Sequence, residues 1–145
     1  MVVNQAGRRR YDARHLALLS ILTALCYIGR IAFQFIPNVQ PVTAILIILT
    51  LQMGILDGLI VATLSLILTN MMMGMGPWTF AQLISFAVII FLTGIVMRPL
   101  YRKKTVWLFV IFAFLSGIFY GFVISLIDFY VYGMSNFLVY YAAGW

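Results

Sequence analysis

The chain alternates between long runs of apolar residues and short breaks rich in proline, glycine or basic residues. Five runs stand out, at about residues 16–35, 42–55, 59–73, 79–96 and 106–132. None of them alternates apolar and polar residues at every second position, as the strands of a membrane β-barrel would. The pattern therefore predicts five transmembrane helices.

The breaks predict where each helix ends. Pro37 and Pro41 are expected to end the first helix and start the second, because proline lacks the N–H that a helix interior needs. A turn is predicted at residues 56–58, a loop at 74–77 and a basic loop at 98–104. The second and third helices are then short for a full crossing, so we expect them to tilt little or to lie partly inside the bundle.

Composition identifies the environment of these helices. The 145 residues are 65% hydrophobic and 8% charged, whereas a soluble domain has roughly 45–50% apolar and about 25% charged residues. This excludes a soluble, disordered or nucleic-acid-binding protein and predicts an all-α integral membrane protein. At ~20 residues per crossing, the length allows about five or six helices in a single domain over residues 1–145.

The net charge of +6 indicates topology. Eight of the nine basic residues precede the first run or follow the fourth: Arg8, Arg9, Arg10, Arg14, Arg98, Arg102, Lys103 and Lys104. Cytoplasmic segments carry such an excess, so the N-terminus is predicted to be cytoplasmic and the loops near 36–41 and 70–78 to face outside. Residues 133–145 would then lie outside, as an interfacial segment or the approach to a sixth helix, and the chain is expected to be truncated at its C-terminus.

The chain has no motif of an enzyme. It contains no H-E-x-x-H, no G-x-S-x-G, no carboxylate pair at helical spacing and no G-x-x-x-x-G-K-[ST] phosphate loop. His15 is interpreted as an interfacial side chain, and Asp12, Asp57 and Asp128 are scattered. The single cysteine, Cys26, predicts neither a disulfide nor a metal site. We therefore expect neither catalysis nor ATP hydrolysis by this chain.

Small residues recur on one face of the first helix. Ala13, Ala17, Ser20 and Ala24 follow one another at spacings of 4, 3 and 4 residues, which at about 100° per residue confines them to a narrow face. We call this set the small-residue stripe. In lipid, small side chains let another helix approach closely. Two interpretations are open: packing against the protein's own helices, and docking onto a separate membrane subunit.

Arg30 is the one basic residue inside an apolar run. A central arginine costs about 2.5–3.5 kcal/mol on insertion scales, and less near a helix end, where it can snorkel to the interface. On the helical wheel Arg30 lies roughly 110° from the small-residue stripe. Asp128 is predicted at a comparable height in the fifth helix. Three arrangements would lower the cost of the Arg30 charge in the membrane: snorkelling to the interface, an ion pair with Asp128, or a water-filled cavity that both side chains face.

Neutral polar and aromatic residues gather near the predicted outer loops. They are Asn38, Gln40, Asn70, Trp78 and Gln82. Together with Arg30 and Asp128 they form the candidate ligand-binding set, because donors and acceptors beside aromatic surface suit a small polar ligand. Structural interpretations are also open: Thr79 and Gln82 match a capping box, the tryptophan fits an interfacial belt, and the asparagine at the helix end could cap carbonyls.

At these loops the chain resembles a known family. The stretches FIPNVQPVTA at 35–44 and GPWTFAQ at 76–82 are similar to signature stretches of the substrate-binding S components of energy-coupling factor (ECF) vitamin transporters. The basic N-terminal segment before a small-residue first helix is similar too. The resemblance covers essentially the whole chain, and the two loop stretches are its most specific part.

The resemblance implies a six-helix S component of a bacterial importer in the cell membrane, which binds a vitamin from outside. Such a protein docks through small residues of its first helix, here Ala13, Ala17 and Ala24, onto a transmembrane coupling subunit (EcfT type) with two ATPase subunits. ATP and Mg²⁺ are used by those partners, and no cofactor is expected on this chain. The sixth helix, absent here, is the departure from the family. The matching loop positions are Asn38, Gln40, Trp78 and Gln82.

The residues leave the vitamin open. The loop pair resembles members associated with cobalamin uptake, so cobalamin is the leading prediction, with pyridoxine-like and hydroxymethylpyrimidine compounds as alternatives. Two other classes of protein are also considered. One is a self-sufficient secondary transporter, in which Arg30 and Asp128 couple ions, and the other is a structural assembly subunit that binds no ligand.

Overall fold

A computed structural model describes residues 12–36, 41–101 and 106–133. Within these ranges all regular structure is helical, which confirms the all-α prediction. The elements are α1 (Ala13–Ala32), α2 (Pro41–Met53), α3 (Ile55–Met73), α4 (Trp78–Leu92), a π-helical turn (Thr93–Met97), α5 (Arg98–Tyr101) and α6 (Val106–Tyr132). In the described residues four helical spans are long and apolar enough to cross a membrane, and α2 is shorter.

The helix α3 lies at the centre of the bundle. It packs between α1 and α4, and α4 packs against α6, so these four helices follow one another in a row. The short α2 packs across the row and contacts all four. Hydrogen bonds join the starts of α1 and α3 at one end of the bundle, and residues near their ends meet at Gln82 at the other. The helices α1 and α3 therefore run parallel.

One residue separates α2 from α3. Gly54 has a φ of 113°, in the region that favours glycine, and its N–H donates to the carbonyl oxygen of Thr50 at 3.0 Å. The turn predicted at residues 56–58 is therefore wrong, because the chain already turns at Gly54. The helix α3 begins at Ile55 and has 19 residues, so it is longer than predicted. Asp57 consequently lies in the first turn of α3.

Gly58 is a glycine for a different reason, since it lies inside α3. A Cβ atom there would collide with Oγ1 of Thr50 and would lie 3.2 Å from Cγ2 of Ile90. The missing side chain thus lets α2 and α4 approach α3 closely, as small residues do in membrane bundles. Gly58 marks a packing contact and not a turn.

The helix α2 is short, as predicted. Its 13 residues extend about 20 Å at 1.5 Å per residue, less than the ~30 Å hydrocarbon thickness of a bilayer. Nearly half of them are buried: Val42, Thr43, Leu46, Ile47, Leu49 and Thr50. A short apolar helix in contact with four longer ones fits the prediction that this segment lies partly inside the bundle.

The fourth crossing continues beyond the predicted break at residue 98. The N–H of Arg98 donates to the carbonyl oxygen of Thr93, across a widened π-helical turn. The next residue, Pro99, has no N–H to donate, and helix geometry often changes locally at such a position. Helix then extends to Tyr101. The basic loop predicted at 98–104 therefore begins later, and residues 102–105 lie outside the described ranges.

The core combines apolar side chains with hydroxyl groups. The rings of Phe86 in α4 and Tyr120 in α6 pack with their centroids 4.7 Å apart. Four buried hydroxyls donate to carbonyl oxygens in the preceding turn of their own helix, so each of the four is satisfied without water. These residues are Thr50, Thr69, Ser85 and Thr93.

Candidate functional site

Polar side chains from different helices meet at two ends of the bundle. We call one group the Arg30 cluster, which consists of Arg30, Asn70, Thr79 and Gln82, and the other the His15 pair, which consists of His15 and Asp57. Both include a residue of α1. Fifteen helical residues separate His15 from Arg30, so the two groups lie about 22 Å apart along the helix axis.

The loop between α3 and α4 brings the Arg30 cluster together. Gly74 ends α3 with a φ of 106°, and its N–H donates to the carbonyl oxygen of Asn70 at 2.8 Å. The helix α4 begins after Pro77, so the last turn of α3 lies beside the first turns of α4. Asn70 therefore faces Thr79 and Gln82 although a glycine- and proline-containing loop separates them in sequence.

The hydrogen bonds converge on one oxygen atom. Asn70 is 2% exposed, and its Nδ2 donates to Oγ1 of Thr79 and to Oε1 of Gln82, both at 3.1 Å. Nη2 of Arg30 donates to the same Oε1 at 3.4 Å. The carboxamide oxygen of Gln82 thus joins α1, α3 and α4. Three of the residues predicted to bind ligand are brought together, with Thr79 as a fourth member.

Thr79 and Gln82 do not form the capping box that their spacing suggested. The N-cap of α4 is Pro77, which makes no side-chain cap hydrogen bond. Thr79 already lies inside the helix, and its Oγ1 accepts from the N–H of Gly76 at 3.4 Å. The side chain of Gln82 reaches across to α3 and α1 instead of back to the start of its own helix. Its bonds are tertiary ones.

Of the alternatives considered for Arg30, the ion pair with Asp128 is not formed. Arg30 directs its guanidinium to Gln82, while Asp128, which lies on α6, is 9% exposed. The reason lies in the helix order, because α3 and α4 separate α1 from α6 in the row. The sequence predicted that the two residues lie at a similar depth in the membrane, but it could not show which helices are neighbours.

Trp78 lies next to the cluster. A Cβ atom on Gly76 would collide with its indole ring, so the ring folds back over the loop before α4. The side chain is half-buried and covers loop backbone. Asn38 and Gln40, which were predicted in the other loop, lie outside the described residues.

The small-residue stripe faces outward. Ala13, Ala17, Ser20 and Ala24 are all exposed, whereas Leu19, Thr23 and Cys26 form the buried face of α1. Only 17% of the span of α1 is buried, the smallest share among the four long spans. Within the described part of the chain the stripe thus does not serve packing between the protein's own helices, and its surface is available.

The His15 pair was missed by sequence reasoning. Nε2 of His15 lies 3.2 Å from Oδ1 of Asp57, and the side chains are 12% and 0% exposed. The interpretation of His15 as an interfacial side chain did not include this contact, which turns the ring toward α3. Among the described residues the other oxygen of Asp57, Oδ2, has no hydrogen-bond partner. A carboxylate without exposure therefore depends on this one histidine.

One pattern in the sequence could have pointed to the histidine. One face of α1 carries four residues at spacings of 4, 7 and 4, namely His15, Leu19, Cys26 and Arg30. The structure shows that this face contacts the bundle. The face begins and ends with a residue that can be charged, and each of the two reaches another helix. The acidic partner, 42 residues away, had no comparable signal because its segment was predicted as a turn.

A bundle of long apolar helices with polar clusters between them defines a multi-pass membrane protein. Comparison with protein families identifies which kind. The family described as ECF transporter, substrate-specific component matches residues 14–144, and the chain belongs to this family. It is therefore a transport subunit and not an enzyme, and its membership implies a vitamin ligand and a partner energy-coupling module. Comparison with curated proteins and with solved structures gave no significant match.

Proposed function

We propose that the protein is the substrate-binding membrane subunit of a bacterial, ATP-driven ECF-type importer. It captures a water-soluble vitamin from outside and delivers it through a partner coupling module. In the proposed orientation the N-terminus is cytoplasmic, so the His15 pair lies at the cytoplasmic end and the Arg30 cluster at the outer end. Family membership supports the role, and the distribution of basic residues supports the orientation.

The Arg30 cluster is the observation that carries the ligand-binding half of this proposal. Three helices supply side chains to it, and hydrogen bonds among them hold Gln82 in one orientation. A site with side chains already fixed loses less entropy when a ligand binds. We propose that the ligand contacts Arg30, Asn70 and Gln82. Further contacts are proposed from Trp78, Asp128, Asn38 and Gln40.

The small-residue stripe is the proposed docking surface for the coupling subunit. Its four side chains are exposed, and helices in lipid associate by close packing over small residues. The partner is a transmembrane coupling subunit (EcfT type) with two ATPase subunits, which supply energy from ATP with Mg²⁺. Ligand and partner would then bind different faces of the chain, the first at the end of the bundle and the second along α1.

Cobalamin is the proposed vitamin, with pyridoxine and hydroxymethylpyrimidine as alternatives. The test is a thermal-shift screen of the purified chain in detergent against these three compounds and other water-soluble vitamins. A ligand at about 100 times its Kd adds roughly 2.7 kcal/mol to the free energy of unfolding, which raises Tm measurably. A structural assembly subunit would show no shift with any of them.

An uptake measurement separates the proposed importer from a secondary transporter. The chain is expressed in a host without a coupling module, and uptake of the vitamin identified by thermal shift is compared with and without the coupling and ATPase subunits. We expect binding without transport for the chain alone, and transport when the module is present. Uptake by the chain alone, driven by an ion gradient, would overturn the proposal.

A further inference from the structure

The Arg30 cluster has more hydrogen-bond donors than it uses. The guanidinium of Arg30 makes one hydrogen bond within the described residues, to Oε1 of Gln82, so most of its N–H donors have no protein acceptor there. Gln82 uses its oxygen for Arg30 and Asn70, which turns its own NH₂ group away from both. Two side chains of the cluster therefore present unused donors.

Acceptors in the cluster are mostly occupied. Oε1 of Gln82 accepts from two residues, and Oγ1 of Thr79 accepts from Asn70 and from the N–H of Gly76. Both donor hydrogens of Asn70 are used in these bonds, so its own oxygen is the main acceptor left. Among the described residues no carboxylate lies within ion-pair distance of Arg30; the contact of that kind there joins His15 and Asp57, at the other end of α1. The cluster thus has a positive charge and a surplus of donors.

The guanidinium is directed into the bundle and not toward lipid. Arg30 lies on the face of α1 that buries Thr23 and Cys26, and its partner Gln82 belongs to α4. An arginine that only snorkelled would extend along its own helix to the headgroups. Its hydrogen bond to another helix instead places the charge beside the amide donors of the cluster.

We propose that the substrate binds the Arg30 cluster through an anionic, acceptor-rich group such as a carboxylate or a phosphate. This inference rests on the proposed function and specifies the chemistry of the ligand. An anion would accept from Arg30 and from the NH₂ group of Gln82 together, and charge-assisted hydrogen bonds of this kind are the strong ones. Among the three candidate vitamins, cobalamin carries a phosphodiester, whereas pyridoxine and hydroxymethylpyrimidine have no acidic group. The inference thus favours cobalamin.

The test uses probes in pairs that differ in the charged group. Binding to the purified chain in a maltoside detergent is measured by calorimetry for two matched pairs, nicotinate with nicotinamide and pantothenate with panthenol. Cyanocobalamin and pyridoxine are measured beside them as candidate vitamins with and without a phosphodiester. We expect an anionic probe to bind, and its neutral counterpart to bind about tenfold to a hundredfold more weakly. Arg30→Gln should remove this difference, and Arg30→Lys should retain part of it.

Two controls make the result specific. Arg14→Gln removes an exposed arginine at the other end of the bundle and should leave affinity unchanged. Phosphatidylglycerol added to the detergent tests whether a lipid headgroup supplies the anion, and stabilisation by this lipid that depends on Arg30, without binding of any soluble anion, would overturn the inference. Binding of neutral probes alone would also overturn it but would leave the proposed function intact. If no probe binds here but the thermal-shift screen finds a neutral vitamin, the inference is overturned and the proposed function stands. If no compound binds in either experiment, both are contradicted.

Discussion

The two ends of the bundle each place a side chain of α1 against another helix, but they leave different groups unsatisfied. In the His15 pair, a histidine meets a carboxylate with no exposure to solvent, and the leftover atom is an acceptor, Oδ2 of Asp57. In the Arg30 cluster the residues are partly exposed, apart from Asn70, and the groups without an acceptor in the described part of the chain are donors on Arg30 and Gln82. The first arrangement is buried, and the second is where we propose that the ligand binds.

The difference follows from where each group lies along its helices. Asp57 lies in the first turn of α3, which begins directly after Gly54. Next to it, α2 and α4 pack closely against α3 at Gly58. Gln82 lies in the first turns of α4, beyond a loop in which Met75 is exposed, as is Met73 at the end of α3. We therefore expect changes at the His15 pair to lower stability, and changes at the Arg30 cluster to lower ligand affinity.

The largest effect on stability is expected from His15→Ala. It would leave the Asp57 carboxylate buried without a partner, and breaking a buried pair in this way costs about 3–5 kcal/mol. Unfolding of the purified chain in detergent, followed by heat or denaturant, measures the loss. The double variant His15→Leu with Asp57→Leu should recover most of it, because apolar replacement of both partners is often neutral. A single variant as stable as wild type would contradict the importance of the pair.

A smaller loss is expected from Gly54→Ala. A residue with a Cβ at a φ of 113° is strained by about 1–3 kcal/mol, and the strain would displace the first turn of α3, where Asp57 lies. The matched control is Gly117→Ala in α6, where a Cβ would meet nothing within 4 Å. That control should be neutral or slightly stabilising, because alanine favours helix over glycine. Equal Tm values for the two variants would contradict the expectation.

Gln82→Ala should affect binding more than stability. It removes the oxygen that accepts from Asn70 and Arg30, at a net cost of about 1 kcal/mol in stability, while affinity for the ligand should fall about tenfold or more. Calorimetry and unfolding on the same preparation measure both. Gln52→Ala, an exposed glutamine on α2, is the control and should change neither. The expectation fails if affinity for the ligand is retained.

The smallest change in stability is expected from Ala17→Trp. Ala17 is exposed, and such substitutions alter stability by roughly 0.5 kcal/mol or less. Ligand binding should persist, but copurification with the coupling module and transport should be lost. Leu25→Trp, also exposed on α1 but roughly 110° from the stripe, should assemble normally. Lost ligand binding with normal assembly would falsify the assignment of the stripe.

Much of the fold follows from the apolar pattern. The predicted run at 106–132 coincides with α6, Val106–Tyr132, and the end of α3 before Gly74 was also predicted. The break between α2 and α3 was placed wrongly because Gly54 and Gly58 are chemically identical in the sequence. Only packing distinguishes them, since one needs a positive φ and the other needs to have no side chain.

The candidate site was predicted as a set of residues and not as a network. Arg30 was named because a charge in an apolar run is costly and therefore informative, and Asn70 and Gln82 because neutral donors and acceptors near the outer loops suit a small polar ligand. Their mutual contacts could not be predicted. The position of a residue in a helix gives its depth in the membrane and the side of the helix on which it lies, but it does not give the adjacent helix. For that reason Asp128 could be considered as a partner of Arg30, although α3 and α4 lie between their helices.

The sequence by itself determined that this is an all-α membrane protein, and its motifs indicated the ECF substrate-specific family, because apolar length and loop composition are local properties. The tertiary structure decided which face of α1 is free, that Arg30 meets Gln82, and that His15 meets Asp57. These are contacts between residues far apart in the chain, and they depend on helix order and rotation. These contacts are favoured because polar groups inside an apolar bundle need hydrogen-bond partners.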